Sequence, residues 1–387
     1  MQQNIGILMD LLRCSALGEN ADKNIISALT PDALQDIYTV AHHHGLIQLI
    51  GDILEKNGFL GALPSHKRFR KEELNAVYSF EKINYETEQI IRIFEENAVS
   101  FILLKGAFLR YLYSEPWLRT SCDIDILVHE KDVVKAGELL VKELNYNKIQ
   151  EGTHHVAYAF GEDVRIELHF NLIEKNQAKN SYKVARRVWD YASAKEGFDY
   201  RYELSEDFIY FYHIAHCAAH FEAGGCGIKP VLDLFVLRKK FNCKTPEINK
   251  LLRASGLTEF DKFLNELCDV WFDKKAHNDV TRVMEKFIIN GGIGGTREQN
   301  LLLKKYRSGG KIGYVIRRIF VPFGELKKDY PILGKIPVLL PFFEILRWFK
   351  LLLKKDKKSI ARRYETVKNI PEEKLKTYGG MLDEIGL

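Results

Sequence analysis

The chain has 387 residues, 46% of them hydrophobic, which is enough apolar material for buried cores in two or three domains and excludes a disordered protein. Its net charge of +5 is unevenly spread: from Lys311 to Lys358 twelve Lys and Arg face four Asp and Glu, so this one segment carries the basic character. The six cysteines, at 14, 122, 217, 226, 243 and 268, form no CxxC pair, which argues against a zinc ribbon or a disulfide framework and predicts a reducing cytoplasm.

Met1 to Gly18 lacks a basic start, and Asp10 and Arg13 interrupt its apolar stretch, so no secretory signal is predicted. Apolar residues recur at helical spacing in Ile5, Leu8, Met9 and Leu12 and again from Leu46 to Leu54, which makes residues 1–95 a helical N-terminal region. His42-His43-His44, followed by Gly45, reads as a solvated helix end, because three adjacent helical residues point in different directions. From Ser100 the pattern changes. A buried strand, Phe101 to Leu104, leads through a turn at Lys105-Gly106 into a short helix ending near Tyr113. Then come a strand at Asp123–Val128, a helix from Lys131 to Leu144, and strands at Tyr146–Ile149, His155–Phe160 and Val164–Phe170, the last two joined by a turn at Gly161-Glu-Asp163. Residues 96–175 are thus predicted to form a small mixed β-sheet with helices on one side, and the fold class is α+β.

After Asn171 the chain is expected to be helical. Ser205 is a plausible cap, Gly224-Gly225-Cys226-Gly227 breaks the helix it starts, and another runs from Pro230 to Lys240. The glycines from Gly291 to Gly295 lack the Lys-Ser/Thr of a P-loop and read as a flexible connection. This gives a helical C-terminal domain over 176–300 and a basic, aromatic tail over 301–387.

Side chains alternate along a strand, so Asp123 and Asp125 share one face while Ile124 and Ile126 point into the core. Paired carboxylates on an otherwise apolar strand are costly unless cations neutralise them. By the same alternation Arg165, Glu167 and His169 share a face. The order of these features (strand, glycine turn, helix, Asp-x-Asp strand, then an acidic residue on a later strand) resembles the polymerase-beta-like nucleotidyltransferase superfamily. More narrowly, Leu104-Lys105-Gly106-Ala107-Phe108-Leu109, Arg119, Asp123 to Val128 and Glu167-Leu168-His169 resemble a group of uncharacterised bacterial nucleotidyltransferase-like proteins, best over residues 100–170.

The resemblance implies a Mg²⁺- or Mn²⁺-dependent, two-metal transfer of a nucleoside monophosphate from an NTP such as ATP to a hydroxyl, with pyrophosphate leaving. Asp123 and Asp125 would ligate the metal that grips the triphosphate, and Asp125 and Glu167 the metal that activates the acceptor hydroxyl. Gly106 would let the backbone approach the phosphates, and the amides of Gly106 and Ala107 would favour anionic oxygens. Lys105 and Arg119 are phosphate-clamp candidates, and Ser121 belongs to the same nucleotide-binding set. Arg165 and His169 would flank Glu167, with His169 either moving a proton or holding Glu167. The superfamily's Gly-Ser or Gly-Gly is Gly-Ala here. The acceptor is a small molecule, a sugar or a protein side chain; the alternative is a non-catalytic nucleotide-binding or antitoxin-like, partner-binding protein.

His213, His216 and His220 share one face of the helix after Ser205. Three readings stand: a zinc site completed by Asp233 or Glu222, a polar stripe between helical domain and sheet, or acceptor contacts, which makes His216, His220 and Asp233 acceptor-side candidates. In the tail, the longest uncharged stretch, Ile336 to Phe343, is too short to span a bilayer. The 311–358 segment either contacts a membrane peripherally or packs over the sheet with its lysines snorkelling. Specific nucleic-acid binding has no supporting motif.

Overall fold

Seven strands form one mixed sheet in the computed structural model, which describes residues 2–59, 66–161, 164–175, 177–353 and 365–387. They are β1 (Phe101–Leu103), β2 (Asp123–Val128), β3 (Asn147–Glu151), β4 (His155–Phe160), β5 (Val164–His169), β6 (Ala192–Ala194) and β7 (Arg201–Leu204). Their spatial order is β3-β4-β5-β2-β1-β7-β6. At the centre β2 runs parallel to β5 and antiparallel to β1, which in turn runs parallel to β7. The α+β class and the mixed sheet follow the expectation from sequence. Residues 162 and 163 of the expected β4–β5 turn lie outside the described residues.

Two expectations are corrected. The chain is not purely helical after Asn171, because β6 and β7 complete the sheet and carry it to Leu204. Both are too short and too polar to show alternation, and what holds β7 is its pairing with β1, a hundred residues earlier (Phe101 with Arg201). Nor do helices cover only one side. Ile124, Ile126, Val128, Ile166 and Leu168 pack on one face against the His66–Glu96 and Val133–Leu144 helices, through Ile90, Phe94 and Leu140. The other face contributes Ile102, Leu104 and Leu127 to a larger core that includes residues from Leu8 to Ile385. There the Gln2–Leu17 helix packs on the Thr258–Phe272 helix, so the N-terminal helices share their core with the C-terminal ones.

The helix that covers this second face runs Glu206–Ala223. Ser205 caps it by accepting the Phe208 amide, acidic Glu206 and Asp207 sit in its first turn, and Gly224 ends it in the left-handed region at φ 108°. The adjacent Gly225 lies against Gly295 so closely that a Cβ would overlap the Gly295 backbone. The 291–295 glycines therefore make a packed backbone crossing where a flexible connection was expected. His44 also departs from the solvated helix end. It is buried, its Nε2 lies 3.2 Å from the Ile289 carbonyl and its Nδ1 accepts the Ile228 amide, tying three helices together.

Among the described residues, the tail packs on helices and on itself and not over the sheet. Its Lys311–Ile319 helix packs on the Arg297–Arg307 helix, and the Leu340–Leu353 helix returns to the tail's own backbone, where Trp348 donates to the Ile319 carbonyl at 2.7 Å. Ile312, Ile316, Phe320, Val338, Phe342 and Phe349 remain exposed. Residues 354–358 of the basic segment lie outside the described residues. No helix among the described residues is long and apolar enough to cross a membrane.

Candidate active site

Parallel pairing of β2 with β5 sets Asp125 beside Glu167, Asp123 beside Arg165 and Leu127 beside His169. Since side chains alternate, the three carboxylates gather on the face that the Glu206–Ala223 helix covers. Asp125 is 3% exposed, and its Oδ1 accepts from Lys105 Nζ at 3.2 Å and from His169 Nε2 at 2.8 Å. His169 Nε2 also lies 3.6 Å from the Glu167 carboxylate, whose other oxygen is 3.4 Å from Arg165. Lys105 reaches Asp125 because it leaves β1 with φ +39° and ψ −110°, a conformation costly for any residue with a Cβ. A backbone bond from the Leu104 amide to the Asp125 carbonyl locks that turn against β2.

These neighbours separate the carboxylates electrostatically. Burial and then the adjacent Asp125 push Asp123 up to about 6. Burial alone would raise Asp125 too, but the Lys105 ammonium and the His169 bond outweigh it and hold Asp125 well below the usual carboxylate range. The nearby His169 lowers Glu167. His169 itself is raised, because its bond to Asp125 and the neighbouring Glu167 carboxylate overcome the opposing effect of burial.

The nucleotide-binding candidates fare differently. Gly106 begins a single helical turn, Gly106–Leu109, and a Cβ there would come within 3.0 Å of both Arg119 and Ser121. The Ala107 amide is engaged inside the turn by the Leu104 carbonyl, so it does not face a phosphate as expected. Ser121 accepts from Arg110 at 2.6 Å, and Arg110 also donates to the Gly106 carbonyl at 2.7 Å. Arg119 is held by Asp233 through two 2.9 Å bonds, and Tyr113 donates to the same carboxylate at 2.8 Å. Asp233, 3% exposed, thus anchors Arg119.

The histidine stripe does not assemble as a zinc site. His213 Nε2 lies 2.9 Å from the Pro230 carbonyl, His216 and His220 meet at 3.0 Å, and Glu222 accepts the Ala178 amide. Among the described residues the metal-capable groups are Asp125, Glu167 and His169, and His154, His155 and His169, each with donor atoms within 4.8 Å of one another.

A family described as uncharacterised nucleotidyltransferase matches residues 30–273, more than half of the chain. The chain belongs to that family. The match takes in the sheet, the carboxylates and the covering Glu206–Ala223 helix, and it stops before the basic tail. The solution structure of the antibiotic-resistance factor ANT(2'')-Ia is similar over 43% of this chain and 88% of that one, at 12% sequence identity and a TM-score of 0.31. No curated protein matches.

Next to Lys105, which bonds Asp125, this nucleotidyltransferase holds a cavity of about 700 Å³. Lys105, Arg119, His216, Lys229, Tyr212 and Phe241 help to line it. Lys229 was not singled out by sequence. It donates to the Thr120 carbonyl and hydroxyl at 3.0 and 3.2 Å, and burial, followed by the nearby Arg119 charge, lowers it to about 8. Tyr212 was missed as well; its hydroxyl is buried without a partner, and the charges of Lys105 and Asp125 act on it. Only the spacing of Tyr212 and Lys229 from the covering helix's cap and break marks them in the sequence.

Proposed function

We propose that this nucleotidyltransferase moves a nucleoside monophosphate from a Mg²⁺-bound NTP to a hydroxyl of a small-molecule or protein acceptor. The carrying observation is the gathering of Asp123, Asp125 and Glu167 on one sheet face, next to Lys105 and the cation-lined cavity it borders. Their oxygen donors fit a hard cation, and the burial and the neighbouring carboxylate charges that together raise Asp123 are penalties that such a cation relieves. Asp123, Asp125 and Glu167 would hold Mg²⁺, which when bound neutralises phosphate oxygens and makes the acceptor hydroxyl more acidic.

The chain's own residues do the rest. Lys105 and His169 keep Asp125 ionised and oriented. Lys105 and Lys229 present ammonium groups to the cavity, where a polyphosphate would offset their charge. Tyr212 and the covering helix lie against buried Asp125, which strengthens the charge interactions there. With an α-labelled NTP, Mg²⁺ and a panel of hydroxyl acceptors, label transfer and pyrophosphate release are expected, and both should vanish in Asp123→Ala and Asp125→Ala while circular dichroism shows the fold retained, Asp125→Ala melting lower because it leaves Lys105 without its buried partner. Full activity in those variants would sink the assignment. NTP binding without pyrophosphate release from any acceptor would favour the non-catalytic alternative.

The exposed apolar residues of the tail, set among its lysines and arginines, support a peripheral contact with an anionic membrane from the cytoplasmic side. The intact chain should float with liposomes rich in anionic lipid, and a chain lacking 311–358 should not. Failure of the intact chain to float removes this contact.

A further inference from the structure

His154 and His155 take no part in the proposed transfer. The amides of Phe170 and Asn171 donate to the His154 carbonyl at 3.0 and 3.2 Å, and the Gly152 amide donates to the His155 carbonyl at 2.8 Å. These bonds fix the doublet at the start of β4, where His155 pairs directly across from His169 of β5. Directly paired residues on antiparallel strands present their side chains to the same face. The three rings accordingly meet, with centroids 4.4 Å apart for His154 and His155, 5.2 Å for His155 and His169, and 5.8 Å for His154 and His169.

One ring nitrogen from each lies within 4.8 Å of the other two. His169 is 1% exposed, and its Nε2–H is given to Asp125, which leaves a lone pair on Nδ1. That Nδ1 is buried with no protein partner, and so are His154 Nδ1 and His155 Nε2. Three orphaned nitrogens in one cluster call for a shared ligand, since buried polar atoms are otherwise paired. Burial keeps His154 near 4 and lowers His155, so both rings are neutral with one lone pair each, and one of those lone pairs accepts the 3.0 Å hydrogen bond between His154 Nε2 and His155 Nδ1.

We infer that His154, His155 and His169 bind one divalent transition metal of the zinc type, at a site separate from the three carboxylates. Each imidazole gives a lone pair in a dative bond: the His154–His155 hydrogen bond breaks, the proton on the metal-facing nitrogen of the accepting ring moves to the nitrogen that bond had used, any proton on His169 Nδ1 leaves to solvent, and a water completes four-coordination. Imidazole selects such a metal over Mg²⁺, which prefers the all-oxygen carboxylate site, so two neighbouring sites sort two metals by donor chemistry. Asp125, Glu167 and Glu174 offset the charge of Lys105 nearby. Through Asp125 and His169 the metal completes a carboxylate–histidine–metal chain, which makes it a positioning device for Asp125.

The test is a titration of the metal-free, full-length protein with Zn²⁺ alone against a chromophoric chelator, paired with Co²⁺ substitution read by visible absorption. One tight equivalent is expected, with Co²⁺ bands of nitrogen coordination. His154→Ala/His155→Ala should weaken binding by ~10-fold or more, and Asp123→Ala should leave it unchanged. If the double variant fails to fold, His154→Gln alone gives the same comparison. Absence of a stoichiometric equivalent overturns the inference, as does affinity that follows Asp123 and ignores the histidines. The readout involves no nucleotide, so it is independent of whether transfer is observed.

Discussion

Replacing Asp233 with Asn tests how Arg119 is held. The substitution keeps the shape of the side chain but removes its charge, leaving the guanidinium, 10% exposed, facing one amide oxygen and one NH₂ in place of two 2.9 Å charged contacts. Tyr113, which donates to the same carboxylate at 2.8 Å, loses its charged acceptor as well. Breaking one side of a buried pair costs about 3–5 kcal/mol, most of it the penalty of a buried charge left alone. Urea denaturation followed by circular dichroism should show that loss as a lower midpoint with an unchanged slope. Burial raises Asp233, but Arg119 outweighs it and holds the carboxyl below its ordinary value. A lowered folded pKa means the pair contributes stability above the unfolded value near 4 and loses it as pH falls through the lowered folded value, so Asp233→Asn should lack that acid limb. In a double-mutant cycle, Arg119→Met/Asp233→Leu should recover most of the loss. A loss below about 1 kcal/mol for Asp233→Asn would refute the anchoring account.

Lys229, lowered to about 8, loses its charge as pH rises through that value, so binding of a non-hydrolysable NTP analogue should weaken above pH 8 with a one-proton slope in calorimetry. A flat affinity from pH 7 to 9, or a Lys229→Met variant with wild-type affinity, would remove Lys229 from the phosphate set. Gly225→Ala forces a Cβ onto the Gly295 backbone and should cost at least ~2 kcal/mol in the same denaturation assay; a neutral result would mean the crossing is loose.

The strand-borne part of the site was readable because period-two alternation is local. Asp123 with Asp125, and Glu167 with His169, declare their faces within five residues each, and the apolar residues between them mark buried strands. What escaped depends on contacts between distant segments. Nothing near Arg119 announces that Asp233, 114 residues on, will neutralise it. The three and four residues of β6 and β7 carry no pattern of their own, and the 291–295 glycines looked flexible because their partner, Gly225, lies on another element. His154 and His155 read as the head of a strand, and only the register of β4 on β5 shows that they meet His169.

Because β7 flanks β1, a fragment ending at residue 175 would leave one whole edge of β1 with unpaired backbone, immediately beside the Lys105 turn. During synthesis the centre of the sheet must wait until residue 204 has emerged before that edge is sealed, and the loop it closes spans a hundred residues. Shortened versions made for crystallisation or activity screening should therefore keep the chain through Leu204 and its covering helix, or they will aggregate along β1 before any nucleotide is tried.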